Sequence, residues 1–345
     1  MELMQMASIG QFAVGATYRD YIDERRRSWV SSSARPLITT IWYPTDEVAK
    51  VKKQCIAVFQ TGHYAINATI SQQQPRYPLI LVSHGTGGSS ASIAWLCVRL
   101  ASAGFIVAAI NHHGNTAAEP KYLLEGMILW WERAKDIRCL LDHLLADEIF
   151  AKAIDSERIG VAGFSIGGFT ALACAGARLE MNRWKSHCEL NQSDSICKLP
   201  PEMSFNIAEV WHAIENNPHI LAAWPEANEC YRDSRIKAAF AIAPVAKGVV
   251  SDESLQSIDI PVHLVAGSAD DQAAPENNAK LYAAQIPNST LEILPNVTHY
   301  TFLSEGVWWA KLFDKQFLRD PKGVNRRKVH DTTASVAVSF FYKSL

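Results

Sequence analysis

The feature that most constrains this chain is the run from Arg158 to Leu172, Arg-Ile-Gly-Val-Ala-Gly-Phe-Ser-Ile-Gly-Gly-Phe-Thr-Ala-Leu. In it an apolar strand pattern (Ile159 to Val161) passes through Gly163-x-Ser165-x-Gly167 into an apolar helix pattern (Ile166 to Ala177). A serine held between strand and helix by so short a turn sits on strained backbone, with its hydroxyl presented at the apex. Glycine is demanded at 163 and 167, because side chains there would collide where strand and helix approach each other. The small residues Gly167, Gly168, Ala171, Ala173 and Ala175 let the helix lie close to a sheet. The run marks Ser165 as a candidate nucleophile, but a glycine-rich turn without chemistry would share the five-residue pattern, so the rest of the chain must supply partners.

A serine hydroxyl is a poor nucleophile unless a histidine takes its proton and a carboxylate holds that histidine in the right tautomer. On a strand–turn–helix serine the acid and then the base follow in chain order. The apolar run from Ile260 to Ala266 ends in Gly267-Ser-Ala-Asp270-Asp271, which puts carboxylates in the loop at a strand's C-terminal end, where sites of open parallel sheets collect. Asp270 is the preferred acid, since three residues after Gly267 the turn points a side chain back toward the serine. Asp271 is expected to face solvent or to cap a helix beginning near Pro275. After a further strand, Leu291 to Leu294, the loop Pro295-Asn-Val-Thr-His299-Tyr300 supplies the base, His299. The other ten histidines precede the serine, lie between it and Asp270, sit inside a strand (His263), or enter the C-terminal helix (His330). A site for the oxyanion is expected after the strand Leu79 to Ser83, in His84-Gly85-Thr86-Gly87-Gly88. There the main-chain N–H of Thr86 can converge with that of Ile166. No lysine follows the glycines, so the loop is neither a Walker phosphate loop nor a dinucleotide fingerprint. His84 reads as a residue that packs or holds the loop.

Strand patterns at Pro36 to Trp42, Leu79 to Ser83, Phe105 to Ile110, Ile159 to Val161, Lys237 to Ala243, Val262 to Ala266 and Leu291 to Leu294 alternate with helical ones. That order predicts an α/β fold with a largely parallel sheet covered on both faces. In the helix read at Leu129 to Leu145, Trp130, Ala134, Ile137, Leu141 and Leu144 form one apolar face. Glu132, Arg133, Arg138 and Asp142 are assigned to water. Residues 179 to 234 break the rhythm with Trp184, Trp211, Trp224 and three cysteines, and are expected to be a cap inserted over the serine, with Ile220 and Leu221 adding apolar surface. A second insertion, Val51 to Gln74, gives no clear pattern.

At 345 residues and 48% hydrophobic, the chain suits one large domain carrying an insertion. Its formal charge of −2 gives no electrostatic case for binding nucleic acid or anionic membrane. No apolar stretch is long enough to span a bilayer, and the N-terminus lacks the basic flank and apolar centre of a leader, which points to the cytoplasm unless a leader has been removed. Cys97, Cys139 and Cys174 read as buried helix residues. Cys188, Cys197 and Cys230 share the insertion, either as free thiols or with a disulfide among them. No His-Glu-x-x-His or Cys-x-x-Cys pair is present and no metal or organic cofactor is expected; His112-His113 reads as a hydrogen-bonding pair.

On these motifs the chain resembles the α/β-hydrolase superfamily, and more narrowly bacterial predicted dienelactone hydrolases related to the platelet-activating-factor acetylhydrolases. The narrower resemblance rests on Arg35-Pro-Leu-Ile-Thr-Thr-Ile-Trp-Tyr-Pro44, Ser83-His-Gly-Thr-Gly87, Gly163 to Ala171, Gly267-Ser-Ala-Asp270 and His299-Tyr300. It implies an α/β-hydrolase fold, a triad of Ser165, Asp270 and His299, an oxyanion hole from the N–H groups of Thr86 and Ile166, and hydrolysis of a small or lipid-like carboxylic ester. True dienelactone hydrolases use a cysteine where this chain has Ser165, which removes the lactone as a favoured substrate. An amidase or acyltransferase would use the same residues, and a silent binding module would keep the fold without the chemistry.

Overall fold

The computed structural model describes residues 10–192, 194–203 and 205–345. Among them ten strands form one sheet: β1 (Ala13–Arg27), β2 (Ala34–Thr45), β3 (Lys52–Ile56), β4 (Phe59–Ile66), β5 (Tyr77–Ser83), β6 (Ile106–Ile110), β7 (Ile154–Phe164), β8 (Ile236–Ile242), β9 (Val262–Gly267) and β10 (Ser289–Leu294). Their order across the sheet is β10-β9-β8-β7-β5-β6-β2-β1-β4-β3. The six strands from β10 to β6 run parallel, and β2 joins β6 antiparallel.

The principal helices are α1 (Ala94–Ser102), α2 (Glu132–Ala146), α3 (Ile166–Ala175), then α4 (Trp184–Leu190), α5 (Ile207–Asn216) and α6 (Pro218–Ala223) within residues 179–234, followed by α7 (Ala279–Gln285) and α8 (Arg326–Ser344). The side chains of β5 alternate between two apolar cores: Leu79 and Leu81 pack on one face with residues of α2 and α3, and Ile80 and Val82 on the other with residues of α1 and α8. Every residue of β5 is buried, as a central strand covered on both sides requires.

Among the six parallel strands chain order and sheet order disagree at one place, and that place locates the site. From β5 the chain crosses to β6 on one side, then returns to β7 on the other, so the connections leaving the C-terminal ends of β5 and β7 head for opposite faces of the sheet. Such a switch point opens a crevice there. Ser83, the last residue of β5, pairs with Gly163 near the end of β7, which sets the loop after β5 beside the turn that carries Ser165.

The strands read from the sequence are all present, several of them longer: β7 covers Ile154–Phe164 rather than three residues, and β2 covers Ala34–Thr45. Two parts of the sheet were not read. β1 pairs with β2 through most of its length, and the insertion Val51 to Gln74 forms the antiparallel pair β3–β4 at the sheet edge. The helix read from Leu129 begins at Glu132, and two residues assigned to water are buried: Glu132 is 6% exposed and Arg133 1%. Arg138 and Asp142 do face solvent. Glu132 is tolerated there through ion pairs, whereas Arg133 has partners at Nη2 alone and leaves Nε and Nη1 without one among the described residues. Glu132 binds Arg26 at 2.7 Å and Lys135 at 2.7 Å, and Arg133 donates to the main-chain oxygen of His84.

Candidate active site

At the end of β7 the backbone of Ser165 takes φ 58° and ψ −121°, a conformation that costs a non-glycine residue energy and is kept because the surroundings leave no other. A Cβ on Gly163 would stand 2.0 Å from the oxygen of Gly167, and one on Gly167 would stand 2.1 Å from the oxygen of Ser83. The two glycines are thus required by contact, as expected. The serine itself is only 7% exposed and is reached through a cavity rather than at an open surface.

Asp270 and His299 come from the loops after β9 and β10. These loops are laced together: Ser268 N–H donates to Leu294 O (2.9 Å), Ala269 N–H to Val297 O (3.0 Å), and Gly267 passes so close to Val297 O that a Cβ would meet it at 2.1 Å. Asp270 Oδ1 accepts the N–H groups of Gln272 (2.9 Å) and Ala273 (2.7 Å), which fixes the carboxylate and aims Oδ2 at the histidine. His299 Nδ1 lies 2.8 Å from Asp270 Oδ2, and its Nε2 lies 2.9 Å from Ser165 Oγ. With Nδ1 donating to the carboxylate, Nε2 is free to accept the serine proton. Asp271 is exposed and caps no helix; α7 starts at Ala279, later than expected, and Asn278 precedes it without a side-chain cap.

Burial alone would push the imidazole of His299 down, but the charge and hydrogen bond of Asp270, with Glu202 and Asp271 behind them, outweigh it and the net shift is upward from 6.5. The arrangement is therefore suited to taking a proton and holding it as an imidazolium, which an attack by Ser165 demands.

The Thr86 and Ile166 N–H groups have no acceptor among the described residues, and both residues line the cavity with Ser165. The loop carrying Thr86 is held from several sides. Gly87 N–H donates to Asn115 Oδ1 (2.7 Å), Tyr122 Oη–H to Gly87 O (2.9 Å), and Thr116 Oγ1–H to Gly88 O (2.9 Å). His84 holds the loop as expected: its Nε2 accepts the His112 N–H at 3.1 Å, so Nδ1 donates to Gly85 O at 2.7 Å. Burial pushes His84 far below 6.5, helped by the nearby Arg133, so it is neutral.

Beneath this loop lies a buried polar network that sequence reasoning did not find. His112 donates to Asp136 Oδ2 (2.9 Å) and accepts from Ser83 Oγ (2.9 Å), while Asp136 also binds Arg35 (2.8 Å) and Arg26 (2.7 Å). The two arginines overcome the burial of Asp136 and hold it well below 3.8. Burial pushes His112 down to about 3, so the ring is neutral. The adjacent pair His112-His113 was the only signal available; His113 binds Glu119 (2.7 Å).

Residues 179–234 stand over the serine through Trp184, Ile196, Leu199, Glu202, Met203 and Val210. Trp184 packs at a tilt between Trp130 (4.9 Å) and Trp211 (5.0 Å). The expected contribution of Trp224, Ile220 and Leu221 to that surface is not seen. Trp224 packs on Trp131 at 5.8 Å, Ile220 is in the core, and Leu221 is 49% exposed. Cys188 and Cys197 are disulfide-bonded, whereas Cys230 is free and exposed; Cys97 and Cys174 are buried and Cys139 half-buried. No cluster of three or more His, Cys, Asp or Glu side chains able to hold a metal occurs among the described residues.

Parts of the chain are similar to known proteins. The family model for platelet-activating factor acetylhydrolase, isoform II, matches residues 7–129, and that of the prolyl oligopeptidase family matches residues 90–185. Cutinase est2 of Thermobifida alba is 36% identical over 107 residues, which are 30% of this chain and 32% of that protein. The bis(hydroxyethyl) terephthalate hydrolase of Streptomyces coelicolor is 30% identical over 131 residues, 38% of this chain and 39% of that protein. The chain thus spans about a third of the length of the curated relatives it matches. A solved ferulic acid esterase from Streptomyces cinnamoneus shares the fold, with a TM-score of 0.62, 19% identity, and coverage of 98% of this chain and 92% of that one. By its sheet, its strained serine turn and its likeness to that esterase structure, the chain has the α/β-hydrolase fold, and parts of its sequence are similar to those of serine ester hydrolases.

Proposed function

We propose that the protein is a serine-dependent carboxylic ester hydrolase, with Ser165 as nucleophile, His299 as general base and then acid, Asp270 as the residue that orients His299, and the N–H groups of Thr86 and Ile166 as the oxyanion hole. The observation that carries this reading is the unbroken hydrogen-bonded series Ser165–His299–Asp270 opening onto an apolar cavity. Ser165 Oγ attacks the acyl carbonyl as its proton passes to His299 Nε2. The carbonyl oxygen takes the negative charge between the two N–H groups, and collapse expels the alcohol, which receives the proton from His299. Water then repeats the sequence on the acyl-enzyme and frees the acid.

An ester is favoured over an amide or an acyl transfer because the relatives that share the sequence are named as a cutinase and a terephthalate ester hydrolase. The substrate class is a small or lipid-like ester, since the cavity walls are largely Met127, Ile128, Trp130, Trp184 and Val245. Residues 179–234 act as a cap within a single catalytic domain. No helix among the described residues is long and apolar enough to cross a membrane. The cytoplasmic placement expected from the N-terminus is less well supported than an oxidising compartment, because Cys188 and Cys197 are bonded.

The test is a fluorophosphonate probe together with a panel of acyl esters. The wild-type protein should be labelled at Ser165 and hydrolyse esters, and Ser165→Ala should lose both while remaining folded. Ester turnover undiminished in a folded Ser165→Ala protein would end this reading.

A further inference from the structure

One acidic side chain in the site has no role in the chemistry above. Glu202 hangs from residues 179–234 directly over the oxyanion loop; a Cβ on Gly87 would meet its Cβ at 3.3 Å. Its Oε2 accepts the Tyr300 Oη–H at 3.0 Å, beside the catalytic histidine, and Tyr300 is its one side-chain partner among the described residues. Glu202 and Thr86 also line two cavities at once. One holds Ser165 and His299, and the other runs past Tyr122, Phe59, Phe317 and Leu318. A substrate arm leaving the scissile carbonyl for the second cavity passes this carboxylate.

We propose that Glu202 is a specificity-determining residue that selects esters carrying a hydroxyl close to the scissile bond and excludes esters carrying a carboxylate there. The inference rests on the ester hydrolase reading and names the class of substrate within it. A carboxylate only accepts hydrogen bonds, so an apolar arm leaves it desolvated without return, an anionic arm is repelled, and a hydroxyl can donate to it. The walls of the second cavity offer Phe59, Phe317 and Leu318 to the rest of such an arm. Burial raises the Glu202 carboxyl above 4.5 against the hydrogen bond from Tyr300. Tyr300 is the positioning residue that holds Oε2.

The experiment measures kcat/KM for the ethyl, 2-hydroxyethyl and carboxymethyl esters of one benzoic acid, in wild-type protein and in Glu202→Leu and Glu202→Gln. The hydroxyethyl-to-ethyl ratio should fall roughly ten- to a hundredfold in Glu202→Leu, the range set by one hydrogen bond to a charged group. In Glu202→Gln, which keeps an acceptor and loses the charge, that ratio should fall less, and the carboxymethyl ester should gain by about tenfold relative to the ethyl ester. Fluorophosphonate labelling of Ser165 serves as the check that each variant is folded, and if the leucine variant fails it, the glutamine variant and Tyr300→Phe carry the test. Unchanged ratios in labelled variants overturn the proposal while the hydrolase reading stands. Loss of every ester activity and of labelling in the wild-type protein overturns both.

Discussion

Ser165 stands more than a hundred residues of chain before Asp270 and His299, and what joins the three is the direction of a few lone pairs. Asp270 has both carboxylate oxygens engaged, one by two main-chain N–H groups and one by His299. Asp270→Asn would present an amide to a nitrogen that already carries a proton, forcing the wrong tautomer. A loss of about ten-thousandfold in kcat is expected, the size found for the equivalent change in a serine protease. Asp271→Asn should change kcat/KM by less than about threefold, within the small range of exposed charges, and steady-state kinetics on the two variants separates them. Because the folded-state pKa of His299 is raised and the base must be unprotonated, kcat/KM should climb with pH and reach half its maximum above 6.5. Glu202 adds to that upward shift, so Glu202→Gln should move the midpoint of the pH profile to lower pH.

Among the elements, the inserted helices are proposed to set what reaches the serine, since residues they carry line its cavity. Trp184 lines the cavity and is wedged between Trp130 and Trp211, whereas Trp224 stands away against Trp131. Trp184→Ala should therefore shift the ratio of kcat/KM between short and long acyl esters, and Trp224→Ala should leave it unchanged when the same series is assayed. The parallel strands and the residues proposed as the triad were legible in the sequence because each rests on a local pattern: a run of apolar residues, two glycines around a serine, an aspartate three residues past a strand's end. β1 was not legible, because the inward positions near its end are Asp23 and the aliphatic part of Arg26, made tolerable by ion pairs with each other and with Glu132 and Asp136. Arg133 and Glu132 were misassigned for the same reason, since amphipathic periodicity treats any charge as solvated and cannot know of a distant partner. Glu202 was invisible too, as nothing local distinguishes it from a surface glutamate between prolines and a methionine.

For the molecule as a whole, Asp136 is where separate parts of the chain are tied. It receives Arg26 from β1, Arg35 from β2 and His112 from the loop after β6, and through His112 and Ser83 it reaches the loop of the oxyanion site. Asp136→Asn would leave buried guanidinium groups without their counter-ion, and a loss of about 3–5 kcal/mol in unfolding free energy is expected from denaturant titration. Esterase activity should fall in the protein that remains folded, because the same network holds the strand end that carries Thr86.

The bond between Cys188 and Cys197 closes a short ring just ahead of Lys198 to Met203, the stretch from which Glu202 reaches the substrate. Ser165, Asp270 and His299 stand on loops of the sheet and owe nothing to that ring. A thiol reductant should therefore leave the machinery for breaking the ester in place and loosen only the hand that sorts what is offered to it. In oxidising and reducing surroundings the same polypeptide would be two catalysts of similar speed and different taste.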